Sequence, residues 1–327
     1  MSRSSVCSTR LFAKPETGPG GPEENTMTGR KAGMGLPRSA YLRAIQAVGR
    51  RLRYGTSVYQ REWDVLVVLD ACRPDALRAA APNTEQFDAA DIETVRSVGS
   101  CSSEWLERTF MTDRHRDAVG RTAMVTGNTW TDRYLSADRF ALLDEVWKYA
   151  WDETVDTVPA DVVTDRAIRV ARKHDPRRLV VHYMQPHHPF IPDPLEGDSG
   201  MARTGAHSGR TSPWVLLRRS DVQKERVRTA YRKNLEYALS SVATLLENVD
   251  GRVAVTADHG NLFGEWGLYG HPMSTPVPSL LAVPWVETTA EDHRTREPEL
   301  TPPESLPVSR VHDAAGDGSR LEALGYL

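Results

Sequence analysis

Residues 63–75 read WDVLVVLDACRPD. Trp63–Leu69 is a continuous apolar and β-branched run, the pattern of a strand buried on both faces of a parallel sheet, and it stops on a carboxylate, Asp70. Pro74 sits where a first helical turn accepts proline, so 74–81 is predicted as a helix directly after the strand. The same grammar recurs twice. Arg178–Met184 (RLVVHYM) runs into Gln185-Pro186-His187-His188, and Arg252–Thr256 runs into Ala257-Asp258-His259-Gly260. Between these strands lie helical periods at Pro159–His174 and Val222–Val249, the second placing Val227, Tyr231, Leu235, Leu239, Val242 and Leu246 on one face. Strands alternating with helices predict an α/β fold with a mostly parallel central sheet and helices on both faces. In such sheets ligands bind outside the carboxyl ends of the strands.

Weaker signals fill in the rest. Tyr41–Arg53 carries apolar residues at helical spacing, and Glu93–Val98 and Pro278–Val283 (PSLLAV) are predicted strands. Ser102 or Ser103 is expected to cap a helix running to Met111, with Glu104 in its first turn. Residues 193–213, rich in Gly, Ser and Pro, form a long loop, which in a compact domain is usually functional or disordered.

Composition narrows the function classes. The chain has 327 residues and a net charge of −3, with a pI near 6.4, which gives no general case for nucleic acid or an anionic membrane. Residues 1–53 carry ten Lys or Arg against three Glu, a local +7 that leaves about −10 for the remainder. This basic segment includes Gly-Pro-Gly-Gly-Pro at 18–22 and reads as a disordered extension. The expected layout is an extension over 1–55 ending in a short helix, a catalytic domain over 56–290, and a Pro-rich segment with a tail over 291–327. No window approaches eighteen apolar residues and no signal-peptide core is visible, so the default expectation is a cytoplasmic protein without a membrane span. Cys7, Cys72 and Cys101 are too few, and wrongly spaced, for a disulfide framework or a cysteine zinc site.

The three strand ends make a constellation. Asp70, His187-His188 and Asp258-His259 project toward one rim, and two carboxylates with an imidazole are donors that a divalent cation accepts. Alone, each has an ordinary reading: an Asp after a strand is most often a turn residue, and a His beside Gly a loop contact. Together, with Gly260 permitting close backbone approach, they favour a metal site.

These motifs resemble the alkaline phosphatase superfamily, and its sulfatases in particular. Strand-Asp70-Ala-Cys-Arg-Pro-Asp75 is similar to the opening motif of that superfamily. Thr256-Ala-Asp258-His259-Gly260 with Gly264-Glu-Trp-Gly267 and Gly270-His271 is similar to the second sulfatase signature, and His187-His-Pro189-Phe190 to its His-x-Pro-Phe element. The closing Leu321–Leu327 also resembles the end of many sulfatases. The resemblance implies a three-layer sandwich acting on sulfate or phosphate esters, with an anionic small molecule or glycan ester as substrate. It implies one divalent ion (Ca, Mn, Mg or Zn) held by Asp70, Asp258 and His259. His187 would face the transferred or leaving group, and His271 would stand against the anion. Arg73 would orient Asp70 or pair with Asp75.

Two departures qualify the resemblance. Ala71 stands where many sulfatases have a second acid, and Ser100-Cys101-Ser102-Ser103 replaces the Cys-x-Pro-Ser-Arg context of formylglycine, so no formylglycine is expected. Three nucleophile registers stand open. Sulfatase spacing points to Cys101, a Ser-Glu pairing to Ser103, and hydroxyl chemistry at a helix cap to Ser102, which is favoured. Two other readings accompany this one: a catalytically idle member that binds metal or an anionic sugar, and a metal-dependent phosphosugar mutase. Packing is the expected role for most of the tryptophans; Trp105 and Trp266, which flank proposed site residues, are the exceptions expected to line a sugar-binding cleft. Two readings of the long loop stand open: Arg203, His207 and Arg210 close over an anionic substrate, or they belong to a mobile surface loop.

Overall fold

In the computed structural model, which describes residues 38–203, 210–303 and 309–310, the opening run becomes strand β1 (Val65–Leu69), buried throughout. In chain order there follow β2 (Glu93–Arg96), β3 (Thr122–Thr126), β4 (Leu142–Glu145), β5 (Arg178–Tyr183) and β6 (Gly251–Thr256). A short hairpin, β7 (Leu262–Phe263) and β8 (Tyr269–Gly270), precedes β9 (Ala282–Ala290) and β10 (Ser309–Arg310). The helices are α1 (Arg38–Gly49), α2 (Pro74–Ala80), α3 (Ser102–Phe110), α4 (Arg116–Val119) and α5 (Thr131–Tyr134), then α6 (Ala160–His174), α7 (Pro213–Arg219), α8 (Lys224–Leu246) and α9 (Pro278–Leu281).

Eight strands form one sheet in the order β10-β4-β3-β5-β1-β6-β9-β2. The five from β4 to β6 run parallel, and β10, β9 and β2 join antiparallel. Alternation along β1 divides the core between two faces. Val65, Val67 and Leu69 pack with Leu77 of α2, Ile168 of α6 and Leu235 of α8. Leu66 and Val68 pack on the other face with Trp105 and Phe110 of α3. The stripe on α8 is the reason it sits there, and truncating one fully buried member such as Leu235 to Ala costs about 2–5 kcal/mol.

Some elements differ from the sequence reading. PSLLAV is not a strand: Pro278 occupies the first turn of α9, and the strand starts only at Ala282. Strands β3 and β4 are short runs, TAMVT and LLDE, that carry no strong periodicity. The first helix covers Arg38–Gly49 in place of the expected Tyr41–Arg53. Beyond β9 the chain straps across α6. Asp165 Oδ2 accepts the backbone N–H groups of Glu299 and Leu300 at 3.0 and 2.7 Å, and Arg172 pairs with Asp292 at 2.7 Å. No helix among the described residues is long and apolar enough to cross a membrane. The expectations for residues 1–37, His207 and Leu321–Leu327 lie outside the described residues.

Candidate active site and metal centre

Register brings the strand ends together. Leu69 lies opposite Tyr183 on β5, and Val68 opposite Thr256 on β6. The segments leaving these three strands are then tied to each other. His187 N donates to the Asp70 carbonyl at 3.2 Å, and Ala71 N donates to Asp258 Oδ1 at 3.0 Å. Ala71 takes a left-handed φ of 61° to make that turn. Gly260 is needed where it stands, because a Cβ there would lie 2.1 Å from the Ser279 carbonyl oxygen.

Asp70, Asp258 and His259 are essentially inaccessible to solvent. His259 Nδ1 sits 2.7 Å from the Gly260 carbonyl, which fixes its proton there and leaves Nε2 as the free donor atom. That Nε2 lies 3.6 Å from Asp70 Oδ1 and 3.4 Å from Asp258 Oδ2. Neither of those carboxylate oxygens has a hydrogen-bond partner among the described residues. Burial, then the charge of Asp258, pushes the Asp70 carboxyl well above its usual range. Two buried carboxylates with orphaned oxygens and an imidazole nitrogen facing both fit a divalent cation, which would supply the missing positive charge. Sequence reasoning missed two further residues at this centre. Asn128, just past β3, donates Nδ2 to Asp70 Oδ2 at 2.8 Å. His182, inside β5, offers a donor atom within 4.8 Å of those of Asp70 and Asp258. Neither His182 ring nitrogen makes a hydrogen bond among the described residues, Nε2 lying 3.9 Å from Asp258 Oδ2, and burial lowers its pKa to about 4.

Of the three nucleophile candidates, Ser102 faces this centre. Its Oγ lies 3.3 Å from Asp70 Oδ2 and 3.3 Å from His259 Nε2. Ser102 is the first residue of α3, and the cap position belongs to Cys101, one residue earlier than expected. The Cys101 thiol lies 3.2 Å from Ser103 Oγ, and burial pushes it up to about 11. Glu104 is not paired with Ser103. Its carboxylate accepts from Ser100 N and Oγ at 3.0 and 2.7 Å and from Ser274 Oγ at 3.0 Å, and it meets Arg108 at 3.2 Å.

A cavity of about 460 Å³ opens over these residues, lined by Asp70, Cys101, Ser102, His187, His188 and His271 among others. The His271 ring lies 4.7 Å from that of His259 and 4.9 Å from that of His187. His187 Nδ1 is 2.5 Å from the His188 carbonyl, and burial, followed by His188 and His271, lowers its pKa well below the ordinary value. The tryptophans on the cavity wall are Trp130 and Trp214. Trp105 is instead buried in the core against the ring of His182, and Trp266 is 62% exposed, so neither expected tryptophan lines the site. From the long loop Arg210 reaches the cavity wall, while Arg203 bonds the Lys148 carbonyl. Arg73 does not orient Asp70: it pairs with Asp75 at 2.9 Å and Glu265 at 2.8 Å.

A family model described as Sulfatase matches residues 94–298, a span that contains Ser102, His187, Asp258, His259 and His271 and begins after Asp70. Similar solved structures include the soluble domain of lipooligosaccharide phosphoethanolamine transferase A from Neisseria meningitidis. It is 16% identical over 70% of this chain and 77% of that one, with a TM-score of 0.46. The C-terminal periplasmic domain of phosphoethanolamine transferase EptC from Campylobacter jejuni is 18% identical over 69% and 78% of the two chains, with a TM-score of 0.43. A protein in the alkaline phosphatase superfamily from Vibrio parahaemolyticus is 13% identical over 79% and 70%, with a TM-score of 0.40. Among curated proteins none matches the chain.

Proposed function

The chain belongs to the sulfatase family, and from that premise we propose that it is a metal-dependent enzyme transferring the sulfuryl or phosphoryl group of an ester through Ser102. The observation that carries this reading is the Ser102 hydroxyl, 3.3 Å from both Asp70 Oδ2 and His259 Nε2 at the first turn of a helix. The layout we assign puts the catalytic unit at 56–290, which spans every residue of the proposed site.

Asp70, Asp258 and His259 would hold one divalent ion, which supplies Lewis acidity toward the ester oxygens and the serine hydroxyl. Ser102 donates to Asp70 Oδ2, the carboxylate acceptor nearest its proton. Its place at the start of α3 sets the partial positive charge of the helix N-terminus against the ionised oxygen. Attack in line with the ester bond gives a seryl intermediate, which water or a second alcohol then releases. His271 and His187, whose rings follow one another outward from His259, bind and orient the oxygens of the transferred group. Asn128 holds Asp70 from behind, so the carboxylate keeps its direction as Ser102 loses its proton.

The test is turnover of p-nitrophenyl phosphate, p-nitrophenyl sulfate and a bis-ester with Mn²⁺, Mg²⁺, Ca²⁺ or Zn²⁺. Metal-dependent activity abolished by both Asp258→Ala and Ser102→Ala is the expected result, and the preferred ester identifies the transferred group. Activity that survives Ser102→Ala would move the nucleophile to Cys101 or Ser103. Metal binding without turnover of any ester would replace the enzyme with a binding module.

A further inference from the structure

We propose that the natural substrate is an ester of a weakly acidic alcohol, aliphatic or sugar, and that His188, oriented by Asp198, protonates the alcohol oxygen as the ester bond breaks. The proposal rests on the ester-transfer reading above and adds to it a leaving group and the acid that serves it.

His188 Nδ1 lies 3.4 Å from Asp198 Oδ2, with the two side chains 8% and 7% exposed. The other Asp198 oxygen accepts from Gly200 N at 3.1 Å, so the carboxylate is fixed with Oδ2 toward the imidazole. His188 Nδ1 makes no hydrogen bond among the described residues, so its contact with Asp198 is an ion-pair approach and no other acceptor holds it. The ring is held between His187, at 4.6 Å, and the edge of Trp214, at 6.3 Å. With Nδ1 turned to the carboxylate, Nε2 lies on the opposite side of the ring, and His188 lines the same cavity as Ser102. A buried carboxylate beside one imidazole nitrogen fixes the orientation of the ring. His187 lacks this arrangement: its Nδ1 is taken by the His188 carbonyl, and no carboxylate lies within ion-pair distance of it among the described residues. The two adjacent histidines therefore divide the work, His187 toward the transferred group and His188 toward the alcohol.

The cavity wall around His188 suits such an alcohol. Trp130, Trp214, Met184, Met201 and Val215 present apolar surface on which an alkyl chain or the C–H face of a sugar packs. A cavity of about 460 Å³ falls within the range of roughly 300–1,000 Å³ typical of small-ligand sites.

The bond from the ionised Ser102 Oγ to the transferred phosphorus or sulfur forms, the bond to the alcohol oxygen breaks, and its electron pair stays on that oxygen. The oxygen takes the proton from His188 Nε2. In the second half His188, now neutral, takes a proton from the incoming water or alcohol, whose oxygen bonds to the transferred atom, while the bond to Ser102 breaks and its electron pair returns to Oγ. A nitrophenolate departs without this proton and an alkoxide does not.

The experiment compares p-nitrophenyl phosphate and sulfate with glucose 6-phosphate and 6-sulfate for wild type, His188→Gln and Asp198→Asn. The expected result is that His188→Gln lowers kcat on the sugar esters by about 10²-fold or more beyond its loss on the nitrophenyl esters. Asp198→Asn should lose in the same direction by about tenfold, and its position in a loop keeps the test open if His188→Gln fails to fold. Equal losses on both ester classes would mean a structural role for the pair and would overturn the proposal. So would a wild type that cleaves the nitrophenyl esters and none of the sugar esters. A wild type that cleaves none of the four would sink the ester-transfer reading itself, and this inference with it.

Discussion

Asn128 Nδ2 donates to Asp70 Oδ2 at 2.8 Å, while the other oxygen of that carboxylate, Oδ1, is left facing His259 Nε2 at 3.6 Å. The amide thus selects which oxygen is free for a cation. Asn128→Leu is expected to weaken Mn²⁺ or Zn²⁺ binding by about 10–100-fold, the range seen for partners of metal ligands. Calorimetric titration checks this, and an unchanged affinity would remove Asn128 from the site.

Asp70 makes the metal-free protein sensitive to pH in a definite direction. Burial first, and the charge of Asp258 second, raise its pKa above the unfolded value. Between the two values the folded state binds more protons than the unfolded state, so the stability due to this group is full at low pH and is lost as pH rises. The melting temperature in EDTA should therefore fall, relative to that of Asp70→Asn, as pH rises above about 4. Metal binding should weaken as pH drops, because protons compete for the same oxygens.

Glu104 ties the helix that carries Ser102 to the segment that follows His271. It accepts from Ser100 N and Oγ on one side and from Ser274 Oγ on the other. Glu104→Ala leaves those donors, and the partly buried Arg108, without their acceptor. The expected loss is about 3 kcal/mol in denaturant titrations, together with a fall in kcat as Ser102 and His271 lose their common anchor.

Asp144 and Arg166 supply the contrast. Arg166 of α6 donates Nε–H to Asp144 Oδ2 at 2.9 Å, with the two side chains 4% and 1% exposed. Asp144→Ala is expected to destabilise the fold by about 3–5 kcal/mol while leaving kcat per folded molecule unchanged. A drop in kcat at constant folded fraction would argue against this.

The residues legible in the sequence are those whose chemistry coincides with a strand end. Asp70 and Asp258-His259 follow long apolar runs, so local pattern alone puts them on one rim. Asn128 was not legible, because its bond to Asp70 spans 58 positions and depends on β3, whose TAMVT is too short and too Thr-rich to stand out. His182 was hidden for another reason: in a strand buried on both sides no polarity distinguishes the faces, so a histidine there reads as filler. The helix cap slipped by one residue because Cys101, Ser102 and Ser103 are all small and polar enough to start α3. With PSLLAV, proline at a first helical turn and an apolar strand compete within six residues, and the proline takes the first four. Trp130 and Trp214 line the cavity although Trp105 and Trp266 stand beside site residues in the chain, because neighbourhood in the chain is not neighbourhood in space.

The ordering β5-β1-β6 has a consequence for how this protein would fail. These are interior parallel strands, paired on both edges, and amides in such positions exchange with solvent only when the whole sheet opens. Asp70 and Asp258 are one and two residues from their ends, so no local fraying separates the two carboxylates. Deuterium uptake at Val67, Val181 and Val255 should report the same opening free energy as global unfolding, and heat inactivation should track melting without an earlier inactive folded state.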